Sequence, residues 1–273
     1  MREVNLITLF FYLLSAAAYV AYLFFQHDRL QKTGYLLMLA GFFCHSISLC
    51  AGYFLTGFFP GRNLHQTLLM AGWAFSGVFL LLQYHFNLKI LGVYASPLAA
   101  GIMGMSLGAP QATGEAATIF KSFWLFFHVI TIFLGNAAFA LACGVGCLYL
   151  IQEHGIKAKR RGFFFRRLPS LDLLDTTGHG CIMVGFTLLT IGLVAGILYA
   201  KVVWGRFWSW DVKEVWSGIM WLFYAALLHE RLTVGWRGRK AAIMSIIGFA
   251  VLLFTFFGVN FLLGGHHGEF TQW

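Results

Sequence analysis

The sequence has little charge. Only 11% of its 273 residues are Asp, Glu, Lys or Arg, whereas an ordinary soluble domain carries roughly 25%. Hydrophobic residues make up 59%, and apolar runs of the roughly 20 residues that a spanning helix needs recur along the chain. This balance excludes a soluble enzyme and predicts an all-α, polytopic helical membrane protein.

Long polar segments are also scarce, and none of the connections is large enough to hold the core of a separate domain outside the membrane. The first apolar run lacks a basic leading segment and a small-residue cleavage site, so it reads as a span and not as a cleaved signal. We predict a single membrane domain over residues 1–273 with about eight transmembrane helices. Their approximate ends are 4–26, 35–57, 66–86, 88–107, 120–151, 178–203, 214–230 and 241–263.

Acidic residues are outnumbered, with 10 against 19 basic ones. Thirteen of the basic residues fall in alternate connections: the loops 27–34, 152–177 and 230–240 and the turn near 87. By the positive-inside rule these connections are cytoplasmic, so both termini and the segment 204–216 face outward. Because the basic residues lie in short juxtamembrane loops, their partner is the lipid bilayer and not nucleic acid.

The cysteines show no spacing that is typical of a metal site or of haem attachment. All five cysteines lie inside apolar spans, without the spacing of a zinc site. No Cys-x-x-Cys-His occurs, so the chain does not itself carry a c-type haem attachment site.

Tryptophan, in contrast, is concentrated in one place. Four tryptophans fall in the thirteen residues 204–216, between two membrane-length runs: Trp204, Trp208, Trp210 and Trp216. Charged residues are interleaved with them: Arg206, Asp211, Lys213 and Glu214. An aromatic belt at the bilayer interface would explain one or two tryptophans, but neither this density nor the charged insert. The segment indicates a platform for a large flat ligand.

Ten histidines are the second signal, since ionisable residues in spans are costly and usually functional. His128 lies near the outer end of the fifth span, and His266 and His267 follow the last span. Two neutral imidazoles flanking the tryptophan-rich loop in sequence could supply both axial ligands of a haem iron. His229 lies at the cytoplasmic end of the seventh span. The alternatives are a hydrogen-bonded core histidine for His128, a solvated tail for the pair, and an interface histidine for His229.

The segment Trp204-Gly-Arg-Phe-Trp-Ser-Trp-Asp-Val-Lys-Glu resembles the "WWD" signature of the haem-handling family that includes CcsA, CcmC and CcmF. Four further segments resemble CcsA-like proteins in order and spacing: residues 57–68, 168–175, 235–242 and 258–260. The usual Asp-Pro-Lys-Glu reads Asp211-Val212-Lys213-Glu214, so the proline that would fix the turn is missing.

The resemblance implies a subunit of a holocytochrome c synthase of the two-component maturation system, in the bacterial inner membrane. Such a protein takes haem b from the cytoplasmic side. It presents the haem at the outer WWD loop for thioether attachment to the Cys-x-x-Cys-His motif of apocytochrome c. The implied partners are a CcsB-like membrane subunit, apocytochrome c and thiol-reducing thioredoxin-like proteins upstream. The alternative is a HemX-like haem-binding membrane regulator of haem biosynthesis.

The resemblance also implies roles for individual residues. His128 and His266 are the expected outer axial ligands, with His267 as an alternative to His266, and His229 is the expected ligand of a haem within the membrane. Our hypothesis for the loop is that its four indoles pack against the macrocycle. Arg206 and Lys213 would pair with the propionates, while Asp211 and Glu214 orient these cations or the loop. No single catalytic residue is expected.

Overall fold

The computed structural model describes residues 1–57, 63–109, 123–159, 162–163 and 166–258, and of Trp204 only the backbone. The described segments form eight long helices: α1 Arg2–Phe25, α2 Asp28–Thr56, α3 Leu64–Phe86, α4 Gly92–Gly108, α5 Phe123–Lys157, α6 Leu171–Trp204, α7 Val212–Thr233 and α8 Arg239–Leu253. A short 3₁₀ turn, Lys89–Leu91, precedes α4, and a π-helical turn, Phe254–Gly258, continues α8. The all-α prediction is therefore confirmed.

Seven helical segments in the described part are long and apolar enough to cross a membrane, which makes the protein multi-pass. The predicted seventh span, 214–230, also forms a helix, α7, but α7 is not among these seven. α7 carries Lys213 and Glu214 in its first turn and His229, Glu230 and Arg231 near its C-terminal end, so the apolar stretch between them is short.

Some helices extend well beyond the predicted spans. α2 begins seven residues earlier than predicted, at Asp28, whose carboxylate pairs with the Lys89 ammonium at 2.8 Å. α6 begins at Leu171 and not near 178, because the Ser170 side chain accepts a hydrogen bond from the Leu173 backbone N–H. The predicted loop 152–177 is correspondingly shorter. Apolar runs report the membrane-crossing part of a helix and miss its polar ends.

Helix packing positions the candidate site on one half of the bundle. α1, α2 and α4 pack together, α3 joins α4 to α5, and α5 packs along α6 and against α8. Close approach of α5 and α6 depends on glycine, since a Cβ on Gly135 would lie 3.0 Å from the Gly185 carbonyl oxygen. α7 packs against α6 and α8. The tryptophan-rich loop, residues 205–211, therefore connects two packed helices.

Candidate functional site

The tryptophan-rich loop is fixed to the first turn of α7 by a capping box. Asp211 is the N-cap, and its carboxylate accepts a hydrogen bond from the Lys213 backbone N–H at 2.9 Å. The Glu214 carboxylate accepts the Asp211 backbone N–H at 3.3 Å, the Ser209 backbone N–H at 2.8 Å and the Ser209 hydroxyl at 2.9 Å. The turn is thus held without the proline, by the Asp-x-x-Glu spacing that the sequence already contained.

Two of the four indoles form a pair within the loop. The rings of Trp208 and Trp210 meet edge to face, with centroids 6.1 Å apart and planes at 85°. Trp210 is 78% exposed and has a left-handed backbone, φ 59°, which is uncommon for a bulky residue. Trp208 lies against the start of α7, and within the described residues its buried Nε1–H has no hydrogen-bond partner. The pair therefore offers a broad indole surface and an unused donor.

Trp216 makes a ring contact with the end of a neighbouring helix. It lies on α7, where its ring packs on Phe254 with centroids 4.7 Å apart. This contact joins the start of α7 to the end of α8. Beside the Trp208–Trp210 pair, the structure thus shows Trp216 as a bridge between helices.

The cations of the loop have different surroundings. Arg206 is exposed, and Lys213 is partly buried in the first turn of α7. Burial lowers the pKa of the Lys213 ammonium to about 8, against the opposing effect of the Asp211 carboxylate. Lys201, which the sequence analysis passed over, donates to the Gly205 carbonyl at 2.9 Å and lies over the Phe207 ring at 5.2 Å. It closes the C-terminal end of α6, where a cation is favourable.

His128 of α5 occupies a notch on α6. Its Nδ1 is 2.7 Å from the Gly192 carbonyl oxygen, and a Cβ on Gly196 would lie 2.7 Å from the ring. A carbonyl can only accept, so Nδ1 carries a proton, and in the neutral imidazole the lone pair is then on Nε2. Histidines that bind metals usually donate their second N–H in this way. The donor chemistry of His128 therefore fits an axial ligand of haem iron.

The other predicted ligands lie apart from His128. His229 is exposed near the C-terminal end of α7, the end away from the tryptophan-rich loop. His266 and His267 lie outside the described residues. Within the described part, no group of three or more His, Cys, Asp or Glu side chains is placed to hold a metal ion. Of the predicted ligands, the structure therefore describes two, at separate positions.

Sequence reasoning missed two arrangements. His65, at the start of α3, is buried, and its Nδ1–H donates to the Ser106 carbonyl at 2.6 Å. At the opposite end of the bundle, Arg231 of α7 forms a double hydrogen bond with Asp175 of α6, at 3.0 and 2.7 Å. Neither was visible in the sequence, because each joins helices that are distant along the chain.

The arrangement of spans, capped tryptophan-rich loop and histidines can now be compared with known proteins. The sequence profile described as "Cytochrome C assembly protein" matches residues 62–267, so the chain belongs to that family. Membership places the protein in cytochrome c maturation and implies that it handles haem.

Within the family, the similarity is to CcsA cytochrome c biogenesis proteins. The CcsA protein of Guillardia theta is 34% identical over 245 residues, covering 82% of this chain and 81% of that protein. Those of Microcystis aeruginosa and Pyropia yezoensis are each 31% identical, covering 82% and 81% of this chain respectively.

The fold is also that of a larger solved protein. The structure of a cytochrome c haem lyase, CcmF, matches 98% of this chain with a TM-score of 0.66 and 16% identity. This chain spans about half of that protein's length, 47%. At this identity the likeness shows the fold alone.

Proposed function

We propose that this protein is the haem-handling subunit of a cytochrome c synthase, which moves haem b outward and presents it at the tryptophan-rich loop. The thiols of an apocytochrome Cys-x-x-Cys-His motif then add to the vinyl groups of the haem. The protein belongs to the cytochrome c assembly family, and the observation that carries the proposal is the orientation of His128. Its Nδ1–H is committed to the Gly192 carbonyl, so Nε2 is the nitrogen that can bind iron.

The proposal assigns binding roles to the tryptophan-rich loop and to the histidines that flank it. His128 and His266 hold the iron, with His267 as the alternative second ligand. The indoles of Trp204, Trp208, Trp210 and Trp216 provide surface for the macrocycle. Arg206 and Lys213 pair with the propionates. Asp211 and Glu214 act on the loop, because their carboxylates are committed to its backbone N–H groups and to Ser209.

Little proton transfer is required of this chain. Each thioether forms when a thiol S–H adds across a vinyl C=C bond, so the atoms balance without a leaving group. What the protein supplies is placement, since holding two reactants together removes much of the entropy cost of their encounter. A loop tied to α7 by the Glu214 hydrogen bonds suits that task, because it does not have to order itself when the apocytochrome arrives.

The second haem position would use His229. Its exposure on α7 suits a ligand that is shared with another subunit, here a CcsB-like protein. Thioredoxin-like proteins upstream would keep the apocytochrome thiols reduced. By the positive-inside rule, the tryptophan-rich loop faces the outer side of the bacterial inner membrane.

The test is the absorption spectrum of the purified protein, co-expressed with its CcsB-like partner. We expect a reduced low-spin b-type spectrum that weakens in His128→Ala and in His266→Ala and is restored by added imidazole. His154→Ala is a matched control, since His154 lies at the opposite end of α5. Colourless wild-type protein made in cells with ample haem would contradict the proposal and favour a purely interfacial role for the tryptophans.

A further inference from the structure

α7 presents two distinct faces along its length. Its buried face consists of Met220, Tyr224 and Leu227, spaced by four and three residues. The exposed face carries Leu222, which is 62% exposed, and His229, one heptad later. Because an α-helix turns about 100° per residue, Leu222 and His229 lie almost in line, away from the buried stripe. The direction of His229 is therefore set by the rotation of α7 about its own axis.

The buried apolar packing of α7 ends just before its C-terminal turn. The buried apolar side chains end at Leu228, one residue before His229. Arg231 then continues the buried stripe, four residues after Leu227, with its side chain only 10% exposed. Arg231 is two residues, or about 200°, from His229, so holding Arg231 inward directs His229 outward.

Asp175 holds Arg231 in that position. Its two carboxylate oxygens accept from the two terminal guanidinium nitrogens at 3.0 and 2.7 Å, a paired geometry that resists rotation. One of these oxygens also accepts the Gly238 backbone N–H at 2.7 Å. A side chain on Gly238 would collide with the Tyr149 hydroxyl, 2.6 Å from its Cβ position. Three helix ends, those of α6, α7 and α8, thus meet at one carboxylate, with Tyr149 of α5 packed beside Gly238.

The geometry points to Arg231 and Asp175 as positioning residues that orient His229 for ligation at the second haem position. This inference rests on the proposed function and extends it to residues that do not touch the haem. The competing role for Arg231, a direct contact with a haem propionate, is disfavoured because both of its terminal nitrogens are committed to Asp175 on the face opposite His229.

The experiment isolates the second haem position. His128, His266 and His267 are replaced by Ala in the full chain, which is purified with its CcsB-like partner, and the reduced spectrum and total haem are measured. His229→Gly with and without imidazole establishes the signal that depends on His229. Arg231→Lys and Asp175→Asn are then compared with Glu153→Gln, which weakens a neighbouring ion pair on α5 that does not involve α7.

We expect Arg231→Lys and Asp175→Asn each to lower the low-spin fraction about tenfold, the loss that a charge-assisted hydrogen bond supports. Total haem should change less than twofold, added imidazole should restore the low-spin spectrum, and Glu153→Gln should resemble the parent. Arg231→Lys keeps the charge, so it serves as the folded variant should Asp175→Asn lose stability in a thermal melt.

Three results overturn the inference in distinguishable ways. A parent-like spectrum in both variants removes the positioning role. Haem loss in Arg231→Lys alone, without rescue by imidazole, assigns Arg231 to a propionate. A parent without any haem signal dependent on His229 removes the ligand role of His229, and with it the proposed second haem position, while leaving the outer position testable through His128.

Discussion

α1–α2 and α5–α6 are both closely packed helix pairs, yet they use polar side chains for different purposes. Every buried residue of α1 carries a hydroxyl or an amide: Asn5, Thr8, Tyr12, Ser15, Tyr19 and Tyr22. In α5 and α6 the contact is made largely by small residues, and His128 is seated in a glycine notch. The family profile begins at residue 62, so α1 and α2 lie outside it. Buried polarity in a membrane helix therefore does not by itself mark the site.

The two helix pairs each contain a histidine in the bundle, His45 in α2 and His128 in α5, and the surroundings of these histidines differ. His45 of α2 is fully buried, and its Nδ1 is hydrogen-bonded to the Tyr12 hydroxyl at 3.2 Å; this hydroxyl in turn donates to Ser76 at 2.8 Å. His128 donates through Nδ1 to a backbone carbonyl, and it is only partly buried. His45 is enclosed on all sides, so it can join helices but cannot admit a haem. Burial, and not residue type, distinguishes these two histidines.

The largest effect is expected from a substitution that disrupts the packing of α1 against α2. A Cβ on Gly41 would lie 2.7 Å from the Tyr12 ring, so Gly41→Leu must displace Tyr12 together with its hydrogen bonds. We expect a loss of about 3 kcal/mol of unfolding free energy, the upper range for overpacking. Thermal unfolding in detergent measures it.

Gly52→Leu is the control on the same helix, where the nearest contact to a new Cβ is an ordinary 3.7 Å. Equal stability of the two variants would show that the α1–α2 seam tolerates displacement of Tyr12.

A smaller and more local effect is expected on the α6 side. A Cβ on Gly196 would lie 2.7 Å from the His128 ring, so Gly196→Ala should push the imidazole out of its notch without removing any ligand. We expect a cost of about 1–3 kcal/mol, seen as a roughly tenfold loss of the low-spin haem signal. Gly178→Ala is the control on α6, since its new Cβ would meet Val145 at 3.5 Å. An unchanged spectrum in Gly196→Ala would mean that the notch on α6 does not hold the His128 ring in the orientation needed to bind iron.

The two pairs also show what the sequence could predict. Hydropathy located the spans, and the density of indoles located the loop. The Asp211–Glu214 capping box was readable but overlooked. The notch for His128 was not readable, because Gly192 and Gly196 lie more than sixty residues away along the chain. The same holds for Asp175 and Arg231, whose pairing depends on the register of α6 against α7.

The smallest effect is expected from a substitution that removes one of the polar contacts between α1 and its neighbouring helices. It tests whether these contacts only stabilise the fold. Tyr12→Phe keeps the ring in its Gly41 pocket and removes only the hydroxyl that links His45 to Ser76. We expect a loss of about 0.6 kcal/mol, the average measured for interhelical hydrogen bonds in a membrane protein, and of at most about 1.7 kcal/mol. The haem spectrum should not change, because His128 is held by α6. Tyr53→Phe, at a half-exposed ring on the same pair of helices, is the matched control. A change in the haem spectrum of Tyr12→Phe would show that the α1–α2 pair affects haem binding at the α5–α6 pair. It would contradict a purely structural role for His45 and a ligand role confined to His128.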